Sequence, residues 1–283
     1  MSNRILITGA SGNVAKALLP LLLARGADVV AAVHKTHPQP GVKTVELDYT
    51  DPASIAHAMQ GIDSLYLVVP FQPDFVELSQ RAIDAAKQAG VRHIVRISGA
   101  GSDANSSHAL PRVQGTIDAY LAASGVAYTS IQPANFQQNW VNWYAQGVKD
   151  GAVYSPTGQG KTPWVDARDV AEVAAVVLLD PAAYRNRSIT LTGPEPLSYA
   201  DCAAIVAAAT GRLVQAVAVP DEAAIESMRQ WQLPDWTIEM FMSLNRIIKA
   251  GYAETVTHSV EESLGRKART FAAFAAEHQA AWA

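Results

Sequence analysis

At 283 residues the chain is long enough to bury a large core, and 49% hydrophobic against 17% charged residues is the balance of an ordered globular protein. A net charge of -4 with no Lys/Arg-rich run supplies no field for a polyanion, so nucleic acid is not an expected partner. The single cysteine, Cys202, rules out an intrachain disulfide, and the longest early apolar stretch, 17–24, is interrupted by Pro20 and far too short to span a bilayer, so a cytoplasmic chain with no membrane partner is expected.

Ile5-Leu6-Ile7 reads as a short buried strand ended by Thr8-Gly9, and 13–25 as an amphipathic helix closed by Gly26. A second strand is expected at 29–33, then a Pro-rich turn at 37–41 and a third strand at 42–47. Asp51-Pro52 opens a helix to Met59, with aspartate as N-cap and proline in the first turn. A fourth strand follows at 65–69, a helix at 74–89 and a fifth strand at 93–97. Such alternation implies right-handed crossovers and a parallel sheet covered on both faces.

After Ser98 a polar loop at 99–109 leads to a helix at 110–124 and a sixth strand at 128–131. Farther on, helices are expected at 166–179, 198–210, 222–230, 235–250 and 270–282, with short strands near 188–191 and 214–219. Cys202 falls in an Ala-rich helical stretch and reads as a buried, inert thiol. Without an internal repeat or low-complexity linker, the second half is expected to pack onto the first. The expected architecture is α/β: a Rossmann-like doubly wound parallel sheet over 1–150, then a smaller, mostly helical substrate region over 151–283.

Thr8-Gly9-Ala10-Ser11-Gly12-Asn13-Val14-Ala15 has the spacing of a phosphate loop. Gly9 permits the tight turn, Gly12 lets backbone approach a pyrophosphate, and Ala15 lets the helix lie close to the sheet, while the helix N-terminus offers free N–H groups to the phosphates. Because the loop follows a strand and opens a helix, it points to a dinucleotide. The second strand ends in His34-Lys35 with no acidic residue, which favours the 2′-phosphate of NADP(H) over the ribose hydroxyls of NAD; histidine, partly charged near neutrality, reads a phosphate less well than arginine. Asp48-Tyr49, closing the third strand, reads either as an adenine-side contact or as a plain strand-to-helix turn.

Further segments join this loop: 47–51 (Leu-Asp-Tyr-Thr-Asp), 89–95 (Ala-Gly-Val-Arg-His-Ile-Val), 123–129, 132–139 (Gln-Pro-Ala-Asn-Phe-Gln-Gln-Asn), 158–163, 165–171 (Val-Asp-Ala-Arg-Asp-Val-Ala) and 191–195. Together they resemble the NmrA-like members of the atypical short-chain dehydrogenase/reductase superfamily over about residues 4 to 275. The group includes quinone and triphenylmethane reductases, reductases of the ergot-alkaloid type and NADP-sensing regulators, so the resemblance implies the cofactor more firmly than the reaction. On this chain the expected cofactor contacts extend to Val69, Pro70, Ser98, Pro133, Asn135 and Phe136.

Typical short-chain dehydrogenases pair a Tyr proton donor with a Lys four residues on, and none of the nine tyrosines here has Lys at that spacing. The resemblance places Gln114 where many relatives carry Lys or His, Gln132 where Arg is common before the proline, and His34 at a usual Arg position. A glutamine orients a substrate or a carboxamide but delivers no proton. Ser98 and Tyr120 remain as polar candidates for assisting catalysis, and His108 as a third in a flexible-looking loop.

Reduction of a simple ketone creates an alkoxide that demands an acid, whereas an iminium product needs no proton and a quinol anion is far less basic. The expected reaction is therefore hydride transfer from NADPH to an activated electrophile such as a quinone, conjugated enone, imine or cationic dye; the alternative is a non-catalytic NADP(H) sensor. Phe136, Trp140, Trp143 and Tyr144 recur at spacings of three and four, so an aromatic helical face, packed in a core or lining the acceptor pocket with Gln114, is expected. Trp164, Met240, Phe241 and Met242 are weaker candidates for a lid. A small-molecule substrate is the expected partner, no metal site is expected, and a homodimer is left open.

Overall fold

In the computed structural model, which describes residues 3–34 and 41–283, the chain begins with β1 (Arg4–Ile7), whose Ile5, Leu6 and Ile7 are fully buried. Burial on both faces is what a continuously apolar strand of a parallel sheet requires. α1 (Asn13–Ala24) runs through an exposed Pro20, which gives up one bond of the helical ladder. Then come β2 (Asp28–Val33), β3 (Lys43–Glu46), α2 (Pro52–Ala58), β4 (Ser64–Leu67), α3 (Phe75–Gln88), β5 (His93–Ile97), α4 (Ala109–Ala123) and β6 (Ala127–Pro133). The cap expected at Asp51 is present: its carboxylate accepts from the Ala53 N–H at 2.9 Å.

Two short helices follow, α5 (Asn139–Asn142) and α6 (Ala145–Lys149), then β7 (Ala152–Ser155), β8 (Lys161–Thr162), α7 (Ala167–Leu179), β9 (Arg187–Leu191), β10 (Leu197–Ser198), α8 (Tyr199–Thr210), β11 (Gln215–Ala218), α9 (Asp221–Gln230), α10 (Asp235–Lys249), α11 (Ser259–Leu264) and α12 (Phe271–Glu277). The sequence offered no sign of β7, β8, β10 or α11. The single helix expected over 270–282 is broken, α12 giving way to a 3-10 turn at Gln279–Trp282. At the break the His278 Nδ1 donates at 2.8 Å to the Phe274 carbonyl, which also accepts from the His278 backbone N–H at 3.1 Å. Cys202 on α8 is buried, and burial pushes its thiol up, as an inert core cysteine requires.

The main sheet has the order β3-β2-β1-β4-β5-β6-β9, and the registers from β3 to β6 are all parallel. The chain winds outward from β1 to β3, returns to β4 on the other side of β1 and winds outward again. This is the doubly wound Rossmann-like arrangement expected from the sequence, with its topological switch point between β1 and β4.

The chain divides into two compact units: residues 1–106, 111–132 and 170–189 form the first, and 107–110, 133–169 and 190–283 the second. A single cut at 150 therefore does not describe the division, because the chain leaves the first unit at the end of β6 and re-enters it along α7. The core of the second unit is aromatic: the Trp140 ring lies 5.5 Å from Phe271, 5.9 Å from Tyr199 and 6.2 Å from Trp164, and Trp282 donates its indole N–H to the Trp140 carbonyl at 2.9 Å.

In the first unit His93 is buried on β5, its Nε2 3.0 Å from Thr129 Oγ1 on β6. The Thr129 hydroxyl donates to the Tyr184 carbonyl at 2.7 Å, so its oxygen accepts from a neutral, Nε2-protonated His93. Burial, reinforced by the positive charge of Arg185, depresses the His93 pKa from 6.5 to about 4. Between those values the unfolded chain binds the proton and the folded one does not, so the stabilisation is complete above pH 6.5 and is lost as pH falls toward 4. A His93→Leu variant should lack this contribution, worth up to about 3 kcal/mol. Denaturant midpoints measured from neutral to mildly acidic pH should fall less steeply than in the wild type, and an unchanged slope would mean that His93 already titrates normally in the fold.

Candidate active site

The loop between β1 and α1 borders a cleft of about 510 Å³, walled by Gly9, Gly12, His34, Asp48, Val68 and Gln72 among others. Gly9 has φ +62°, a left-handed conformation, and a Cβ there would stand 3.0 Å from Val68 Cγ1. Thr8 fixes the spacing of β1 and β4: its buried Oγ1 accepts from the Val68 N–H at 2.8 Å and lies within 2.9 Å of the Val68 carbonyl. The Tyr49 hydroxyl donates to that same carbonyl at 2.8 Å, and burial pushes its phenol up, so it keeps the proton it donates.

α1 starts at Gly12 with no side-chain cap and no acidic residue in its first turn. Its leading N–H groups and positive dipole end are thus available to an anion, and the glycine loop leaves room for backbone to approach one. Ala10 and Val14 are buried and anchor the loop, while Ser11 and Asn13 are exposed. These residues fit a dinucleotide pyrophosphate. His34 and Asp48 both line the cleft, as do Val69 and Pro70, and the Asp48 carboxylate accepts from the Thr50 N–H at 2.8 Å. Lys35, the second candidate for a 2′-phosphate, lies outside the described residues.

A second constellation in the same unit gathers residues that the sequence had singled out separately. Asp118 on α4 accepts from Ser98 Oγ at 2.7 Å, Ser102 Oγ at 2.7 Å, Ser130 Oγ at 2.8 Å and Gln132 Nε2 at 3.2 Å. It also pairs with Arg96, a side chain only 2% exposed in the middle of the sheet, and Arg96 in turn donates to Gln114 Oε1. Burial alone would raise the Asp118 pKa, but the Arg96 charge and the hydroxyls of Ser102, Ser98 and Ser130 outweigh it and hold the carboxyl below its ordinary value. Asp118 is ionised, and the Ser98 proton is committed to it.

Tyr120 is not brought to this cluster. Its hydroxyl donates to both carboxylate oxygens of Asp84 on α3, at 2.8 and 2.9 Å, and Asp84 raises its pKa. The loop after Ser98 is not the flexible segment it resembled, since the Asp103 N–H donates to the Pro111 carbonyl at 3.1 Å and Arg112 to the Ser106 carbonyl at 2.9 Å.

In the second unit the expected aromatic helix face is broken up: Trp140 alone lies within a helix, α5, while Phe136 precedes it and Trp143 and Tyr144 fall at the junction of α5 and α6. Trp140 and Trp164 are core residues with relative exposures of 0% and 1%, so neither lines a pocket as expected; their large rings fill the centre of that unit. Trp143 is 55% exposed and meets Phe241 edge to face at 6.1 Å. Pro133 is buried, the Asn135 carbonyl accepts from the Val165 N–H at 2.8 Å, and the half-buried Phe136 bridges to Val165.

Arg96, Asp118, Ser102 and Ser130 escaped the sequence reading. One signal was available: an arginine inside the apolar strand His-Ile-Val-Arg-Ile must find a buried anion, and Asp118 stands one helical turn from Gln114.

Residues 1–275 match the NmrA-like family. The chain is 37% identical over 243 residues to an NAD(P)H azoreductase of Xenophilus azovorans, covering 86% of this chain and 84% of that one. Its fold is similar to that of the Escherichia coli NADPH-dependent quinone oxidoreductase complexed with NADPH (TM-score 0.84, 22% identity, 96% of this chain and 99% of the other). It is equally similar to the Citrobacter triphenylmethane reductase complexed with NADP(H) (TM-score 0.84, 21% identity, 99% and 100% covered). Among the described residues no helix is long and apolar enough to cross a membrane.

Proposed function

The chain belongs to the NmrA-like family, and on that premise we propose that it is an NAD(P)H-dependent oxidoreductase, with NADPH preferred, acting on an activated small-molecule electrophile such as a quinone, enone, iminium or azo compound. The observation that carries this reading is the Asp118 cage. Ser98, Ser102, Ser130 and Gln132 all donate to one carboxylate, and Tyr120 donates to Asp84, so the cluster offers hydrogen bonds but no acid matched to an alkoxide. A bound nicotinamide supplies the hydride. The loop 9–14 binds the pyrophosphate through backbone N–H groups, His34 faces the 2′-phosphate, Asp48 and Tyr49 flank the adenine, and Gln114 orients acceptors that carry a lone-pair heteroatom.

The test is NADPH oxidation against quinones, enones, imines, azo dyes and cationic dyes, together with titration of both cofactors. Turnover of at least one class is expected, with Tyr120→Phe retaining it to within about tenfold. NADPH should bind more tightly than NADH, and His34→Asp should reverse the order by like-charge repulsion. Cofactor binding with no turnover of any class would favour an NADP(H)-sensing regulator instead.

A further inference from the structure

The Arg96 guanidinium spans two acceptors on α4, Asp118 Oδ1 and Gln114 Oε1, and also reaches the Gln114 backbone carbonyl at 3.5 Å. A guanidinium has donors only, so the Gln114 amide can meet it in just one orientation, oxygen inward. Its Nε2 is thereby turned away from Arg96, and among the described residues nothing takes up its hydrogens. Gln114 is half-buried and lies over the backbone just past Ser98: a Cβ at Gly99 would stand 3.7 Å from Gln114 Cγ. That is the carboxyl end of β5, the side on which sheets of this kind take their ligands.

Resting on the oxidoreductase reading, we infer that the buried Arg96–Asp118 pair locks Gln114 as a one-way, non-titrating hydrogen-bond donor, and that this donor selects electrophiles whose reducible bond carries a lone-pair heteroatom. Quinone oxygens and azo nitrogens meet that condition. Addition of one hydride, two electrons and a proton, to a quinone leaves the nicotinamide oxidised and gives a hydroquinone monoanion, whose oxygen the Gln114 N–H stabilises; one proton from water completes the hydroquinone. An azo bond likewise takes one hydride on nitrogen and one proton from water to give the hydrazine. A triphenylmethyl cation takes hydride on carbon, forms no anion and needs no proton, so the locked donor does nothing for it. Asp118 fixes Arg96 and Arg96 fixes Gln114; both are positioning residues.

Two substitutions remove the donor differently. Gln114→Glu keeps an oxygen partner for Arg96 but presents only acceptors, and Gln114→Met removes the donor without adding charge. Both should lower kcat/KM for a quinone and an azo dye by about tenfold or more, while a cationic triphenylmethane dye stays within about threefold. Binding gives a second readout: with oxidised NADP+, which has no hydride to transfer, the quinone Kd from tryptophan fluorescence should rise in both variants. Arg96→Lys keeps a charge beside Asp118 but lacks the fork, so it should weaken quinone reduction and spare the dye. The wild-type kcat/KM for the quinone should show no ionisation that disappears in Gln114→Met. Equal losses on all three acceptors, or an unchanged quinone Kd in folded Gln114 variants, would overturn the inference and leave the oxidoreductase reading standing. A wild type that reduces none of the acceptors would instead remove that reading.

Discussion

Asp118→Ala is expected to destabilise the first unit by about 3–5 kcal/mol, a large share of the 5–15 kcal/mol that holds a typical domain together. The loss has two sources. Arg96, 2% exposed, is left without its counter-ion, and the Ser98, Ser102 and Ser130 hydroxyls lose the oxygen to which they donate. Replacing the pair together, Arg96→Met with Asp118→Leu, should recover the part of the loss that comes from the unpaired guanidinium, because apolar side chains of similar volume need no partner in a buried site, while the three hydroxyls still lack their acceptor. Acid should expose the same dependence: the depressed Asp118 pKa means that its stabilisation is complete above the ordinary carboxylate range and is lost as pH falls through the lower folded value. Denaturant unfolding reads all three proteins, and an Asp118→Ala protein within about 1 kcal/mol of wild type would show that the cage does not hold the fold.

The elements that sequence reading placed well are those whose signal is local. The strand Ile5–Ile7, the glycine turn, the Asp51-Pro52 helix start and the His93–Ile97 strand each satisfy backbone requirements within a few residues, and the structure has them within a residue or two of their expected limits. The cage is different. Arg96 and Asp118 are 22 residues apart and Ser130 a further 12, and only the neighbouring places of β5 and β6 in the sheet, with α4 against them, bring them together. Periodicity also has a definite limit at 136–144. It reports that rings share a face, not what the face meets, so Trp140 in a core and Trp143 in the open carried the same signal. The two-residue strands at 161–162 and 197–198 have too few residues to show any alternation.

What residue type cannot reveal, hydrogen-bond direction can. Ser98 and Tyr120 entered as candidates for assisting catalysis and Gln114 as a residue that orients a substrate, and their hydrogens go to different places. Ser98 donates to Asp118 and Tyr120 to Asp84, whereas Gln114 spends only its oxygen on Arg96. Of the three, Gln114 alone retains donors for a substrate, which is a statement about neighbours that the chain order does not contain.

Gly12→Val should lose about a hundredfold or more in NADPH affinity, near 2.7 kcal/mol, while the protein stays folded. The two loop glycines separate ligand from fold. Gly9 needs its left-handed φ of +62° and has Val68 at 3.0 Å, so any side chain there strains the turn itself. Gly12 sits at φ -74° and ψ 163°, an extended conformation open to every residue, and a Cβ there meets only the Gly9 carbonyl, at 3.2 Å. A side chain at Gly12 therefore costs the fold a shift of a few tenths of an ångström at the Gly9 carbonyl and a weaker helix N-cap, about 1 kcal/mol for the cap. It does cover the uncapped first turn of α1, where the pyrophosphate would lie against backbone N–H groups. Two measurements separate these effects: fluorescence titration gives the NADPH affinity, and the rise in melting temperature on adding NADPH should be large in the wild type and nearly absent in the variant. A folded Gly12→Val protein with undiminished NADPH affinity would take the loop out of the cofactor site and leave the cleft between β1 and β4 to some other ligand.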